Sequence, residues 1–179
     1  IRDQKKLFES VKNFDPEILF HMAAQPLVRD SYSSPLETYE VNVMGTVNLL
    51  YAVKETKKPK IVINITSDKC YENNESLEGY TEDDPMGGYD PYSSSKGCAE
   101  LITKSFRKSF FNSDHENNIG LASVRAGNVI GGGDWSENRL IPDTVNSIIK
   151  EKTIIIETKI IFNCNIFLFV NFSNVSLNK

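Results

Sequence analysis

The chain has 179 residues, is 40% hydrophobic, 25% charged and 10% aromatic, and carries a net charge of −4. This composition suits one globular domain with its own core and excludes collagen-like, disordered and disulfide-framed chains. A mildly acidic balance argues against a general nucleic-acid binder, which needs a basic face.

The first residues, Ile1-Arg2-Asp3-Gln4, hold neither an initiator Met nor the apolar segment of a signal peptide, and read as the interior of a longer protein. Residues 17–24 form a short apolar run ending in small side chains, which predicts a buried strand followed by a close backbone approach. Ser34-Pro35-Leu36-Glu37 predicts a helix start, with Ser34 as cap, Pro35 in the first position and Glu37 completing a capping box. Tyr39, Val43, Val47 and Leu50 then recur at helical spacing, as far as Lys54, and are expected to face inward. Pro59 interrupts the helix, and residues 60–65 read as a second buried strand.

A polar loop follows over residues 72–88. Asp90-Pro91 opens another helix, to about Phe110, with Ala99, Ile102 and Phe106 inward. Residues 119–124 read as a third strand and 143–150 as a helix. Strands alternating with helices predict an α/β fold with a parallel sheet. In such sheets ligands gather at the carboxyl ends of the strands, here residues 21–25, 66–71 and 125–133.

Residues 153–179 differ from the rest. They hold six Ile, four Phe and five Asn without a single Gly or Pro, and are expected not to belong to the fold that residues 1–152 form. Residues 160–178 are uncharged, yet five Asn and two Ser argue against a membrane span. Asn171-Phe172-Ser173 and Asn174-Val175-Ser176 match the glycosylation triplet, which is common by chance. Cys70, Cys98 and Cys164 show no metal-ligand spacing and read as free thiols of a reducing compartment, the cytoplasm.

Tyr92-Ser93-Ser94-Ser95-Lys96 places a phenol and an ammonium at i and i+4, on one helix face. A neighbouring cation favours phenolate, so Tyr92 is expected to have a lowered pKa and to act as a base near neutral pH. Taken alone, the pair reads more readily as an ordinary solvated helix face. Thr66-Ser67-Asp68-Lys69 changes the balance, because it follows the second strand directly and offers a hydroxyl to the phenol.

This Ser–Tyr–Lys arrangement resembles the extended, sugar-nucleotide-modifying branch of the short-chain dehydrogenase/reductase superfamily. Four further stretches are similar, as a set, to the CDP-glucose 4,6-dehydratase family over residues 1 to about 150. They are His21-Met22-Ala23-Ala24-Gln25-Pro26-Leu27-Val28-Arg29, Thr66-Ser67-Asp68-Lys69-Cys70-Tyr71, Asp84-Pro85-Met86-Gly87-Gly88-Tyr89-Asp90-Pro91-Tyr92, and Arg125-Ala126-Gly127-Asn128-Val129-Ile130-Gly131-Gly132-Gly133-Asp134-Trp135. The resemblance implies a Rossmann-like, doubly wound parallel sheet, here partial and lacking its N-terminal strands. It implies a lyase that oxidises C4 of the hexose with NAD, eliminates water across C5 and C6, and returns the hydride to C6.

By the same resemblance, Tyr92 takes the C4 hydroxyl proton, Lys96 lowers its pKa and bonds the nicotinamide ribose, and Ser67 bonds the C4 oxygen. Asp68 would protonate the departing C6 hydroxyl. Lys69 stands where dTDP-glucose and GDP-mannose dehydratases carry a Glu, which favours CDP-glucose as the substrate. It would act as the C5 base, for which it must be neutral, or stabilise the enolate. Ile1, Met22, Ala23, Ala24 and Val41 are implied to lie against NAD, and Gln25 and Asn128 with Ser67 against the nucleotide sugar.

The family's Gly-rich turn and its C-terminal substrate-binding part have no counterpart here, which implies an inactive fragment. The whole enzyme would be a cytoplasmic homodimer, paired through the helices near Pro35 and Asp90, with no membrane or nucleic-acid partner. Two alternatives stand beside this reading. A 4-epimerase is disfavoured by Lys69 beside Asp68, and a non-catalytic remnant keeping only a dimerisation surface by the intact Ser67, Tyr92 and Lys96.

Overall fold

The computed structural model describes residues 1–74, 79–111 and 118–151; the atypical tail, with its triplets and uncharged run, lies outside them. Three parallel strands, β1 (Ile18–His21), β2 (Ile61–Ser67) and β3 (Gly120–Ala126), form one sheet in the order β1-β2-β3. All three fall where the apolar runs predict them.

The period of two along each strand sorts the side chains by face. In register, Leu19, Val62 and Leu121 share one face. They join Leu50, Val53, Phe111, Ile119, Ile102 and Phe106 in the main core. On the other face the register aligns Phe20, Ile63 and Ala122, beside Ile18, Ile61, Ile65 and Val124. That face is left open by the described residues, with Phe20 59% exposed. The second helical layer of a doubly wound sheet is therefore not among them.

The helices are α1 (Gln4–Phe14), α2 (Val28–Ser33), α3 (Pro35–Tyr39), α4 (Gly45–Thr56), α5 (Pro91–Phe110) and α6 (Leu140–Ile149). A π-turn, Glu40–Met44, joins α3 to α4 with right-handed helical backbone at both junctions, so residues 35–56 run as one helix. Neither α1 nor α2 is anticipated above. For α1 the signal was present: Asp3 caps it by accepting from the Lys6 N–H, and Leu7, Phe8 and Val11 pack it on Leu49 and Ala52 of α4. Asp90 caps α5 as expected, accepting from the Ser93 N–H at 2.9 Å.

Two expectations need correction. Ser34 makes no side-chain cap, because it already terminates α2 and its backbone (φ −134°, ψ 63°) lacks the usual extended capping geometry. The inward face of the long helix is also not Tyr39, Val43 and Val47. Thr38, Asn42 and Thr46 are buried there instead, followed by Leu49, Leu50 and Val53. Its first half packs on the polar loop after β1 and on α5, and only its second half reaches the apolar core.

Among the described residues no helix is long and apolar enough to cross a membrane. The two sheet faces should respond differently to truncation. Leu50→Ala is expected to cost about 2–5 kcal/mol in urea unfolding, whereas Phe20→Ala on the open face should cost less than about 1 kcal/mol. Equal losses would show that the open face is covered.

Candidate active site

Ser67 ends β2 and is buried, and the next residues turn at once into a short 3-10 segment, Asp68–Cys70. Ser67 caps that segment: its Oγ accepts from the Lys69 N–H at 3.2 Å and donates to Asp68 Oδ1 at 3.0 Å. The turn packs on α5 because Gly97 has no side chain. A Cβ there would stand 2.9 Å from the Gly87 carbonyl oxygen and 3.3 Å from that of Cys70. The Gly87 N–H donates to the Cys70 carbonyl at 2.9 Å, so both loop segments close over the helix together.

Tyr92 and Lys96 occupy the first two turns of α5, both buried, with Lys96 Nζ 5.8 Å from the Tyr92 ring centroid. The structure thus brings Ser67, Asp68, Tyr92 and Lys96 together, with Lys69 exposed beside them. The Tyr92 phenol is nevertheless held above its ordinary pKa, which corrects the expected lowering. Burial outweighs the nearby Ser67 hydroxyl and the charge of Arg139, and Asp68 and Asp90 add to the rise. Burial lowers the pKa of Lys96 itself, and among the described residues its ammonium makes no hydrogen bond.

Behind this group lies a polar relay that sequence reasoning missed. Asn42 Oδ1 accepts from the Gln25 N–H at 2.8 Å, and its Nδ2 donates to the Gln25 carbonyl at 3.1 Å and to Ser95 Oγ at 2.9 Å. Ser95 Oγ donates to the Tyr92 carbonyl at 2.6 Å. One amide therefore clamps the loop after β1 to the helix of Tyr92. Thr46 Oγ1 donates to the Asn42 carbonyl at 2.7 Å and lies 3.2 Å from His21 Nε2, so that nitrogen carries the imidazole proton. His21 is buried, and burial, then Lys96 and the terminal ammonium, push its pKa down to about 4. The signal in the sequence was the spacing of Thr38, Asn42 and Thr46, three polar residues four apart on an amphipathic helix.

The remaining candidates are placed less closely. Met22 and Ala23 are exposed and Ala24 and Val41 half-buried, the first three just beyond β1. The side chain of Ile1 packs in the α1–α4 cluster, where a Cβ on Gly45 would come within 2.8 Å of it. Gln25 spends its amide on Leu27, accepting from its N–H at 2.9 Å and donating to its carbonyl at 3.0 Å. Asn128 is exposed beyond β3, and a Cβ on Gly131, Gly132 or Gly133 would meet no atom within 4 Å. Cys70 and Cys98 are free thiols, and burial pushes Cys70 up to about 11.

A parallel sheet that gathers a serine hydroxyl, a phenol and a lysine ammonium at its strand ends is the scaffold of a short-chain dehydrogenase/reductase-type enzyme. Within that class, the profile of the GDP-mannose 4,6 dehydratase family matches residues 1–153, and the chain belongs to this family. It is 61% identical over 158 residues to the CDP-glucose 4,6-dehydratase of Salmonella typhimurium, covering 87% of this chain and 44% of that protein. A UDP-N-acetylglucosamine 4-epimerase from Methanobrevibacter ruminantium, solved with UDP-N-acetylmuramic acid, matches at TM-score 0.71 and 26% identity, covering 84% of this chain and 46% of that one. A dTDP-glucose 4,6-dehydratase from Streptomyces venezuelae, solved with NAD, shares the fold at TM-score 0.74 and 22% identity, covering 86% and 44%. The chain spans less than half the length of each of these relatives.

The buried imidazole gives the site a measurable signature. His21 titrates near 6.5 when unfolded and near 4 when folded. Between those values the unfolded state binds more protons, so stability is full above about pH 6.5 and falls as pH drops towards 4. The loss from this one group is about 3 kcal/mol. Urea unfolding across that range should show it, and His21→Asn should flatten the dependence; an unchanged slope would count against a neutral, buried His21.

Proposed function

We propose that these residues supply the acid–base machinery of a nucleotide-sugar 4,6-dehydratase acting on CDP-glucose. The observation that carries the proposal is the placement of Ser67, Asp68 and Lys69 on one strand-end turn seated against Tyr92 and Lys96. Two proton-transfer groups beyond the Ser–Tyr–Lys set, an acid and an amine side by side, are what dehydration needs and simple epimerisation does not. The 61% identity to a CDP-glucose 4,6-dehydratase supports the choice of nucleotide.

The residues present fit the nicotinamide-ribose end of NAD. Lys96 is a buried ammonium with its hydrogen-bonding capacity unspent among the described residues, which suits ribose hydroxyls. Ala23 and Ala24 leave the backbone open at the end of β1. When bound, NAD supplies reversible hydride acceptance.

The chain's own groups handle the protons. Tyr92, once ionised, receives the proton of the C4 hydroxyl; burial opposes that ionisation, and the Ser67 hydroxyl, which bonds the same substrate oxygen, favours it. A ketone at C4 acidifies the C5 hydrogen, and Lys69 is the amine placed to take it or to stabilise the enolate. Asp68, on the same turn, gives a proton to the C6 hydroxyl as it departs as water. Gln25 braces the loop after β1, and Asn128 is available to the substrate's diphosphate.

The exposed Leu36, Tyr39, Met44 and Leu101 lie on α3, α4's π-turn and α5, and would pair two copies of the enzyme. The free thiols Cys70 and Cys98 fit a cytoplasmic setting.

The test is a chimera in which residues 1–151 replace the matching segment of the Salmonella typhimurium relative. With CDP-glucose and NAD it should form the 4-keto product, read by its absorbance in base. Tyr92→Phe in the chimera should lower turnover about 10²–10⁴-fold. Conversion of dTDP-glucose but not CDP-glucose would overturn the nucleotide assignment, and a 4-epimer without ketone would overturn the reaction.

A further inference from the structure

One ion pair close to the site, a buried carboxylate with a half-buried guanidinium, takes no part in the proton transfers. Glu100, 5% exposed, lies on α5 one turn beyond Lys96. Its Oε1 accepts from Thr66 Oγ1 at the end of β2. Its Oε2 accepts from Ser123 Oγ at 2.8 Å and from Arg125 Nη2 at 3.2 Å, both on β3. Arg125 turns its other nitrogen outward, where Nη1 donates to the Tyr71 hydroxyl at 2.8 Å and to the Glu82 carbonyl at 3.3 Å.

The guanidinium also lies 4.9 Å from the Tyr71 ring centroid, and Tyr71 stacks on Tyr80 at 4.8 Å. Tyr71 directly follows the Asp68–Cys70 turn and bridges to Met86. A single guanidinium thus joins α5, β3, the end of the turn and the loop that closes over it. Its planar fork holds these partners at fixed angles, which a lysine point charge cannot do.

We propose that Glu100 and Arg125 are positioning residues, whose ion pair fixes the Ser67–Tyr71 turn against α5 so that Ser67, Asp68 and Lys69 face Tyr92 and Lys96. This assignment rests on reading those five residues as the reacting set. A pair serving the fold alone would affect melting and leave the Ser67–Tyr92 contact as it is.

Tyr92 reports on the turn, since Ser67 draws its proton affinity down and Asp68 raises it more weakly. The experiment follows the Tyr92 phenol through its titration by ¹³Cζ-tyrosine NMR in the whole chain, with the signal assigned by Tyr92→Phe. Arg125→Lys should keep parent-like circular dichroism and move the Tyr92 midpoint upward, as the turn shifts and the Ser67 hydroxyl withdraws from the phenol. The double change Glu100→Met with Arg125→Met replaces the pair by apolar volume and keeps the interior free of an unpaired charge; it should move Tyr92 in the same direction.

A folded variant whose Tyr92 titrates with the parent overturns the proposal. So does failure of both variants to fold, which assigns the pair to the fold. The readout needs no turnover, so it stands or falls separately from the dehydratase reading.

Discussion

A carboxylate inside a protein must be met by donors on every side, and Glu100 sets that requirement for the rest of the structure. Two hydroxyls and a guanidinium answer it from β2 and β3. Removing one partner from such a buried pair costs about 3–5 kcal/mol, a large share of the roughly 5–15 kcal/mol that holds a domain folded. The strand ends are therefore tied to α5 at Glu100, one turn beyond Lys96. Apolar packing deeper in the sheet, from Val62 and Leu121 to Ile102 and Phe106, sets the distance between the same layers but not their angular register.

The polar lining of the long helix follows the same logic on the other side of α5. Asn42 replaces the backbone pairing that the loop after β1 has lost, holding Gln25 by both its N–H and its carbonyl. The wider π-turn falls at this residue. Such turns recur at functional positions because they let a side chain leave the ordinary helical stripe. Burial, and then the charge of Lys96, weigh against protonation of His21, so the imidazole stays neutral, and burial also lowers the pKa of Lys96.

These constraints act in one direction across the sheet. Helices α4 and α5 bury the face of Leu19, Val62 and Leu121, while Phe20, Ile61 and Val124 stay open among the described residues. The proposed site residues lie at the carboxyl edge, where β2 ends in Ser67 and turns. Buried hydrogen bonds thus specify the site more tightly than they specify the far face of the sheet.

The three strands, the helix from Asp90 and the Ser67, Tyr92 and Lys96 set were legible in the sequence, because apolar runs, capping residues and i, i+4 spacing are local properties of the chain. The family resemblance was also legible, and the 61% identity to a CDP-glucose 4,6-dehydratase agrees with it. The Tyr92 pKa was not. A neighbouring lysine at i+4 predicts a lowered value, yet burial and the carboxylates of Asp68 and Asp90 raise it, and only the folded chain brings those together. The same holds for the Thr38, Asn42 and Thr46 face and for the Glu100–Arg125 pair, whose members are 25 residues apart. Sequence by itself determined which chemical groups the chain owns and which local elements carry them. Tertiary structure decided which of those groups lose water and to which partner they turn, because desolvation and hydrogen-bond geometry depend on neighbours distant along the chain.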